Sequence, residues 1–183
     1  MCEQRPAARL ALPVSVSGAA ERIAAAHGAE ILWTKLSSAH LMEVAAGGGV
    51  DLGASQEGGF IWPGFLPAYD AAATLVHLLG LLAAADRPLS AVRASLPPTH
   101  IAHEAIPAPW ERKGTVMRGV VERAADRPTV LVDGVKIIEP EGWALVLPDP
   151  EAPVTHVWAE GPSAAEARRL LAVHAGQVAD LTR

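Results

Sequence analysis

The sequence predicts two units in succession, an α/β unit followed by an α+β unit. Three observations carry this. The first ninety or so residues alternate strand-like and helix-like stretches at a spacing that implies parallel strands. Leu96-Pro97-Pro98-Thr99 then interrupts the chain, because paired prolines continue neither a helix nor a central strand. Beyond it, β-branched and aromatic runs are separated by Asp133-Gly134 and Glu141-Gly142, dipeptides that reverse a chain, and a closing helical stretch follows. The boundaries so read are 1–96 and 97–183.

Taken in order, Leu10 to Ser17 alternates small and apolar residues and reads as a strand. Ser17 caps a helix with Glu21 in its first turns, and Gly28 ends it. Glu30 to Thr34 is a second strand, Ser37 to Ala46 a second helix, and Gly47-Gly48-Gly49 closes that helix. Asp70 caps a helix running to about Ala85; its apolar composition reads as a buried core helix, too short for the roughly 20 residues of a membrane span. Asp86-Arg87-Pro88 breaks the chain, and Leu89 to Ser95 forms a short helix.

The second unit reads as a strand from His100 to Ile106, then a helix from Trp110 to Ala125. In that helix Val116, Val120 and Ala124 share one apolar face that Met117 and Val121 widen. A meander follows over Val130 to Val132, Val135 to Ile138 and Trp143 to Leu147. The Pro148 to Pro153 loop leads into a strand from Val154 to Glu160, and a helix from Ser163 to about Leu181 ends the unit. Two helices on one face of an antiparallel sheet make a two-layer sandwich.

With 183 residues, half of them hydrophobic, the chain can bury about two thirds of its unfolded surface. A net charge of −5 without any Lys/Arg run argues against a nucleic-acid partner. One cysteine, Cys2, excludes a disulfide framework and a thiolate metal cluster and points to a reducing cytoplasm. No membrane segment is expected. His100 and His103 fall on opposite faces of a strand, no third ligand accompanies them, and no metal site is expected. His27, His156 and His174 read as structural or solvated. Ser37, Ser38 and His40 lack a nucleophile elbow, and Gly47 to Gly49 lacks the Gly-Lys-Ser/Thr end of a phosphate loop. Core packing accounts for most of the five tryptophans, with Trp62 and Trp110 expected to be partly exposed.

The order of these motifs resembles the C-terminal part of the α-D-phosphohexomutases, the phosphomannomutase/phosphoglucomutase superfamily. The Asp133-Gly134-Val135-Lys136 turn, the Gly142-Trp143-Ala144-Leu145-Val146 strand, the proline loop and the Ser163-Ala164-Ala165-Glu166-Ala167 helix start carry it. The resemblance implies the latter part of the α/β/α domain 3, then a two-layer, TBP-like domain 4. In that family the proline loop clamps the substrate phosphate with an Arg-Pro-Ser-Gly/Asn-Thr-Glu-Pro signature. Here its arginine position is Leu147, followed by Pro148, Asp149, Pro150, Glu151, Ala152 and Pro153, so only the prolines are retained. This Leu-Pro-Asp-Pro-Glu form is similar to the mutase-like C-terminus of bacterial fused mannose-1-phosphate guanylyltransferases. Two carboxylates, no guanidinium and an N–H lost at Pro150 make a poor phosphate site.

In the first unit the family's Thr-Lys pair is matched by Thr34 and Lys35, and its following imidazole by His40. The family's sugar-reading loop, aligned on Trp62-Pro63, places its glutamate on Ser55 and its Ser/Asn on Glu57, with Gly58 and Gly59 retained. The resemblance therefore implies Lys35, His40, Ser55 and Glu57 as substrate-binding positions. The family's phosphoserine loop and magnesium-binding Asp-Gly-Asp-x-Asp-Arg loop do not occur in this chain. No catalytic residue, cofactor or metal is expected here, and the chain alone is expected to be inactive. Expected partners are a sugar phosphate, a linked nucleotidyltransferase or a second copy of the chain. Loss of part of domain 3 would leave one sheet edge and one helix face exposed.

Overall fold

The computed structural model describes all residues, Met1–Arg183, and divides into two units that meet between Pro97 and Pro98. In the first, β1 (Arg9–Pro13) is flanked by β2 (Glu30–Thr34) and β3 (Leu52–Ala54), both parallel to it. Two antiparallel strands, β4 (Phe60–Trp62) and β5 (Leu66–Tyr69), extend the sheet to the order β2-β1-β3-β4-β5. The strand alternation sorts the core onto two faces. Leu10 and Leu12 pack with Ala24 of α1 (Gly18–Ala26), whereas Ala11 and Ile61 pack with Leu41 and Ala45 of α2 (Ser38–Ala46). This is an α/β/α layering, as the family resemblance implies.

The predicted caps form. Ser17 Oγ accepts the Ala19 N–H, and Asp70 Oδ1 accepts the Ala73 N–H at 2.8 Å to start α3 (Ala71–Ala85). Gly28 ends α1 with φ +65°. The strands differ from the sequence reading in two respects. β1 stops at Pro13 instead of continuing to Ser17, because the Val16 N–H turns back onto the Pro13 carbonyl. β3, β4 and β5 are too short, at three or four residues each, to show a period-2 pattern.

Helix α3 corrects an expectation. It reads as a buried core helix, yet none of its residues is buried, and Leu75, Val76 and Leu79 are more than half exposed. An apolar stretch signals that a helix needs cover, not that its own chain supplies it. Trp62 is also corrected, being 9% exposed where partial exposure is expected; Trp110 is 53% exposed. No single helix is long and apolar enough to cross a membrane, and α3 meets α4 (Leu89–Ser95) at a bend of 80°.

The second unit is an antiparallel sheet in the order β6-β10-β9-β8-β7, with β6 spanning His100–Pro107, β7 Thr129–Val130, β8 Val135–Glu139, β9 Gly142–Pro148 and β10 Val154–Gly161. Helices α5 (Trp110–Arg123) and α6 (Ala164–Leu181) bring Val116, Val120, Ala175 and Val178 against Ile106, Val135, Ile137, Val146 and Val157. Val121, read as part of this face, is 43% exposed. The strand expected to reach Val132 ends at Val130: as an edge strand, β7 pairs only with β8, and Leu131 and Val132 lie in the exposed turn before Gly134. Because side chains alternate, His103, His156 and Trp158 point to the sheet face away from the helices.

Candidate functional site

The loop between β9 and β10 is built around one carboxylate. Asp149 Oδ1 accepts the N–H groups of Glu151 and Ala152, each at 2.7 Å, and its Oδ2 accepts from His156 Nε2 at 2.8 Å. These bonds, His156 first and the two backbone donors next, lower the Asp149 pKa to about 2. Leu147 and Pro148 remain in the ladder, opposite His156 and Thr155, so the guanidinium position of the family loop is taken by a strand residue. From α5, the Lys113 ammonium donates to the carbonyls of Asp149 and Ala152 and lies 3.6 Å from the centre of the Trp110 ring. The Glu151 and Ala152 N–H donors are held by Asp149, and the Lys113 ammonium is engaged with two carbonyls. Pro150 supplies no donor, and the Glu151 side chain is exposed.

The sequence does not single out Lys113, and it gives His156 no partner. The spacing of 36 residues between Lys113 and Asp149 conceals the contact; the packing of α5 against the sheet creates it. His156 in turn meets His103 on the neighbouring strand, Nδ1 to Nε2, at 3.0 Å. With Nε2–H given to Asp149, the Nδ1 lone pair of His156 accepts from His103. Trp158 stacks on His103 with ring centroids 4.7 Å apart. Partial desolvation of the His103 ring, followed by repulsion from His156, lowers its pKa.

In the first unit, Lys35 follows β2 and His40 lies in the first turn of α2. The structure joins them through the backbone: the Lys35 N–H donates to His40 Nδ1 at 3.3 Å. The Lys35 ammonium takes no part in that bond. Ser55 and Glu57 belong to the turn joining β3 and β4. Ser55 closes this turn, its N–H donating to the Gly59 carbonyl and its Oγ accepting the Gly59 N–H. Gly58 adopts φ +89° at the tip, and Glu57 is exposed. Thus Ser55 is engaged in turn geometry, while Lys35 and Glu57 present free charged ends.

A cavity of about 660 Å³ lies elsewhere in this unit, walled by Trp62, Phe65 and His77, and none of Lys35, His40, Ser55 or Glu57 lines it. His77 stacks on Trp62 with ring centroids 4.0 Å apart, and the cavity's one arginine, Arg5, is bound to Asp51 at 2.7 Å. Its wall is aromatic, and its arginine is already paired with a carboxylate. No group of three or more His, Cys, Asp or Glu side chains is placed to hold a metal ion, so no oxygen cage of the kind magnesium takes is formed by these residues.

Residues 1–100 match the sequence profile of phosphoglucomutase/phosphomannomutase, alpha/beta/alpha domain III. Over 170 residues the chain is 28% identical to a probable phosphoglucosamine mutase from Methanopyrus kandleri, covering 92% of this chain and 38% of that protein. A phosphoglucomutase/phosphomannomutase family protein from Burkholderia thailandensis superposes with a TM-score of 0.78 at 20% identity, over 97% of this chain and 39% of that one. N-acetylphosphoglucosamine mutase from Aspergillus fumigatus, in complex with GlcNAc-6P and magnesium, superposes with a TM-score of 0.69 at 13% identity, over 98% of this chain and 40% of that one. At these identities the structural likeness is one of fold. The chain spans about two fifths of the length of the curated relative.

Proposed function

The chain belongs to the phosphoglucomutase/phosphomannomutase family, and on that premise we propose that it is a non-catalytic module of sugar-phosphate or nucleotide-sugar metabolism. Its phosphate loop has become a structural turn. One observation carries this reading: the Asp149 carboxylate takes the Glu151 and Ala152 N–H groups from within. A phosphate entering the loop would have to displace a carboxylate of pKa about 2 and meet its charge, with no guanidinium in return. A cytoplasmic setting accords with this reading.

Calorimetry of the full chain with mannose 1-phosphate, mannose 6-phosphate, glucose 1-phosphate, glucosamine 6-phosphate and GDP-mannose tests it. No saturable heat at millimolar ligand is expected, and a coupled mutase assay should show no turnover. Saturable, salt-sensitive binding would overturn the reading. If that binding vanished in Lys35→Ala, the site would be one assembled from Lys35, His40 and Glu57.

A second reading rests on α3. Its exposed Leu75, Val76 and Leu79 form an apolar face without cover from the chain itself. Such a face suits an assembly or regulatory module, docking a second copy or a linked mannose-1-phosphate guanylyltransferase. Light scattering after gel filtration distinguishes the cases: a dimer that Leu79→Glu dissociates supports self-assembly, and a monodisperse monomer argues against it.

A further inference from the structure

The sheet face away from the helices brings together a pair of imidazoles that the proposed function does not use. His103 pairs in register with Trp158, and His156 lies two residues along β10 on the same face. Their facing nitrogens, His103 Nε2 and His156 Nδ1, are 3.0 Å apart. On its other nitrogen His156 is fixed by Asp149 at 2.8 Å. A carboxylate that holds the remote N–H of an imidazole, leaving the other nitrogen turned outward, is the outer shell that orients metal-ligating histidines.

We infer that His103 Nε2 and His156 Nδ1 form a two-histidine chelate for a divalent late transition metal, with Asp149 as its orienting residue and water completing the coordination. Geometry narrows the ion. With metal–nitrogen bonds of about 2.0–2.1 Å, a 3.0 Å separation closes a nitrogen–metal–nitrogen angle of about 94°. A tetrahedral ion would need roughly 3.35 Å at the same bond lengths. Near-right angles suit the tetragonal copper(II) and nickel(II) ions, and imidazole is a ligand type both accept. On binding, the metal takes the Nε2 lone pair of His103, whose ring proton shifts to Nδ1 through solvent, while the His156 proton stays on Nε2 toward Asp149. No redox change is involved. His103 is exposed and the His156 side chain is 22% exposed, so water can reach the open positions.

Nickel(II) is the probe, titrated into the EDTA-stripped full chain and followed by calorimetry and tryptophan fluorescence. One saturable site is expected, with quenching of Trp158, whose ring lies 4.7 Å from that of His103. Binding should disappear in His103→Gln and in His156→Gln and persist in His100→Gln on the opposite strand face. Asp149→Asn should weaken it roughly 10–100-fold. Trp158→Phe should keep the heat and lose the quenching. Near-UV circular dichroism and melting in EDTA establish that each variant is folded. Undiminished binding in folded His103→Gln or His156→Gln, or no saturable nickel binding by the parent chain, would overturn the assignment and leave the pair as a hydrogen bond.

Discussion

Replacing Ile137 with alanine tests whether the two-layer core of the second unit is as tightly determined as it looks. Ile137 is fully buried on β8, between Thr129 of β7 and Ala144 of β9 in register. Its side chain belongs to the cluster formed with Val116 and Val120 of α5 and Ala175 and Val178 of α6. Truncating a buried isoleucine to alanine costs about 2–5 kcal/mol, with the larger losses where the surroundings cannot close the cavity. These neighbours are short and mostly β-branched, held on a sheet and two helices, so about 3–4 kcal/mol is expected. For a unit of this size that lowers Tm by roughly 12–32 °C. Urea denaturation followed by circular dichroism measures the change. Leu131→Ala is the control: Leu131 is 62% exposed, and its truncation should stay within about 0.5 kcal/mol. A loss below about 1 kcal/mol for Ile137→Ala would refute the packing argument.

His174 is 1% exposed on α6 and bonds Glu139, which also binds Arg127, yet burial lowers the histidine pKa below its ordinary 6.5. The unfolded chain therefore takes up the proton first, so the stability held above pH 6.5 should decline as pH falls below it; His174→Gln should flatten the urea midpoint across that window. At Gly134, φ is +68° and an added Cβ would lie 2.3 Å from the Val146 carbonyl oxygen, whereas at Gly58 φ is +89° with open space around it. Gly58→Ala should cost only about 1–2 kcal/mol of left-handed strain, and Gly134→Ala clearly more; equal costs in chemical denaturation would refute the contact argument.

What the sequence revealed and what it concealed divide along physical lines. Helix caps at Ser17 and Asp70 were legible because a cap is a local interaction, made within three residues. The apolar face of α5 was legible at Val116 and Val120 for the same reason: one helix period contains the signal. The strands from Leu52 to Tyr69 were not, since a three-residue strand carries less pattern than the turns around it. Nor was His103 beside His156, 53 residues apart, because that contact depends on the register of β6 against β10. Sequence spacing led instead to His100 and His103, which the strand separates onto opposite faces. The α3 helix shows a third limit: its apolar residues state a need for burial without naming the surface that meets it.

The loop after β9 is held by contacts of the same long-range kind. A carboxylate there could act by repelling an incoming phosphate or by satisfying the donors a phosphate would use, and the geometry favours the second. Repulsion alone would leave the Glu151 and Ala152 N–H groups open, so that removing the charge could restore an anion site. Asp149 instead binds both donors and His156 together, and Lys113 joins the two ends of the turn through their carbonyls. Removing Asp149 would therefore release the turn before it exposed a shaped anion site, and Leu147 would still supply no positive charge. On the proposed reading, regaining phosphate binding requires at least a cation at position 147 as well as a neutral residue at 149. Asp149→Ser alone should bind no sugar phosphate. If that single substitution produced saturable binding in calorimetry, the loop would have to be regarded as a masked phosphate site instead of a structural turn.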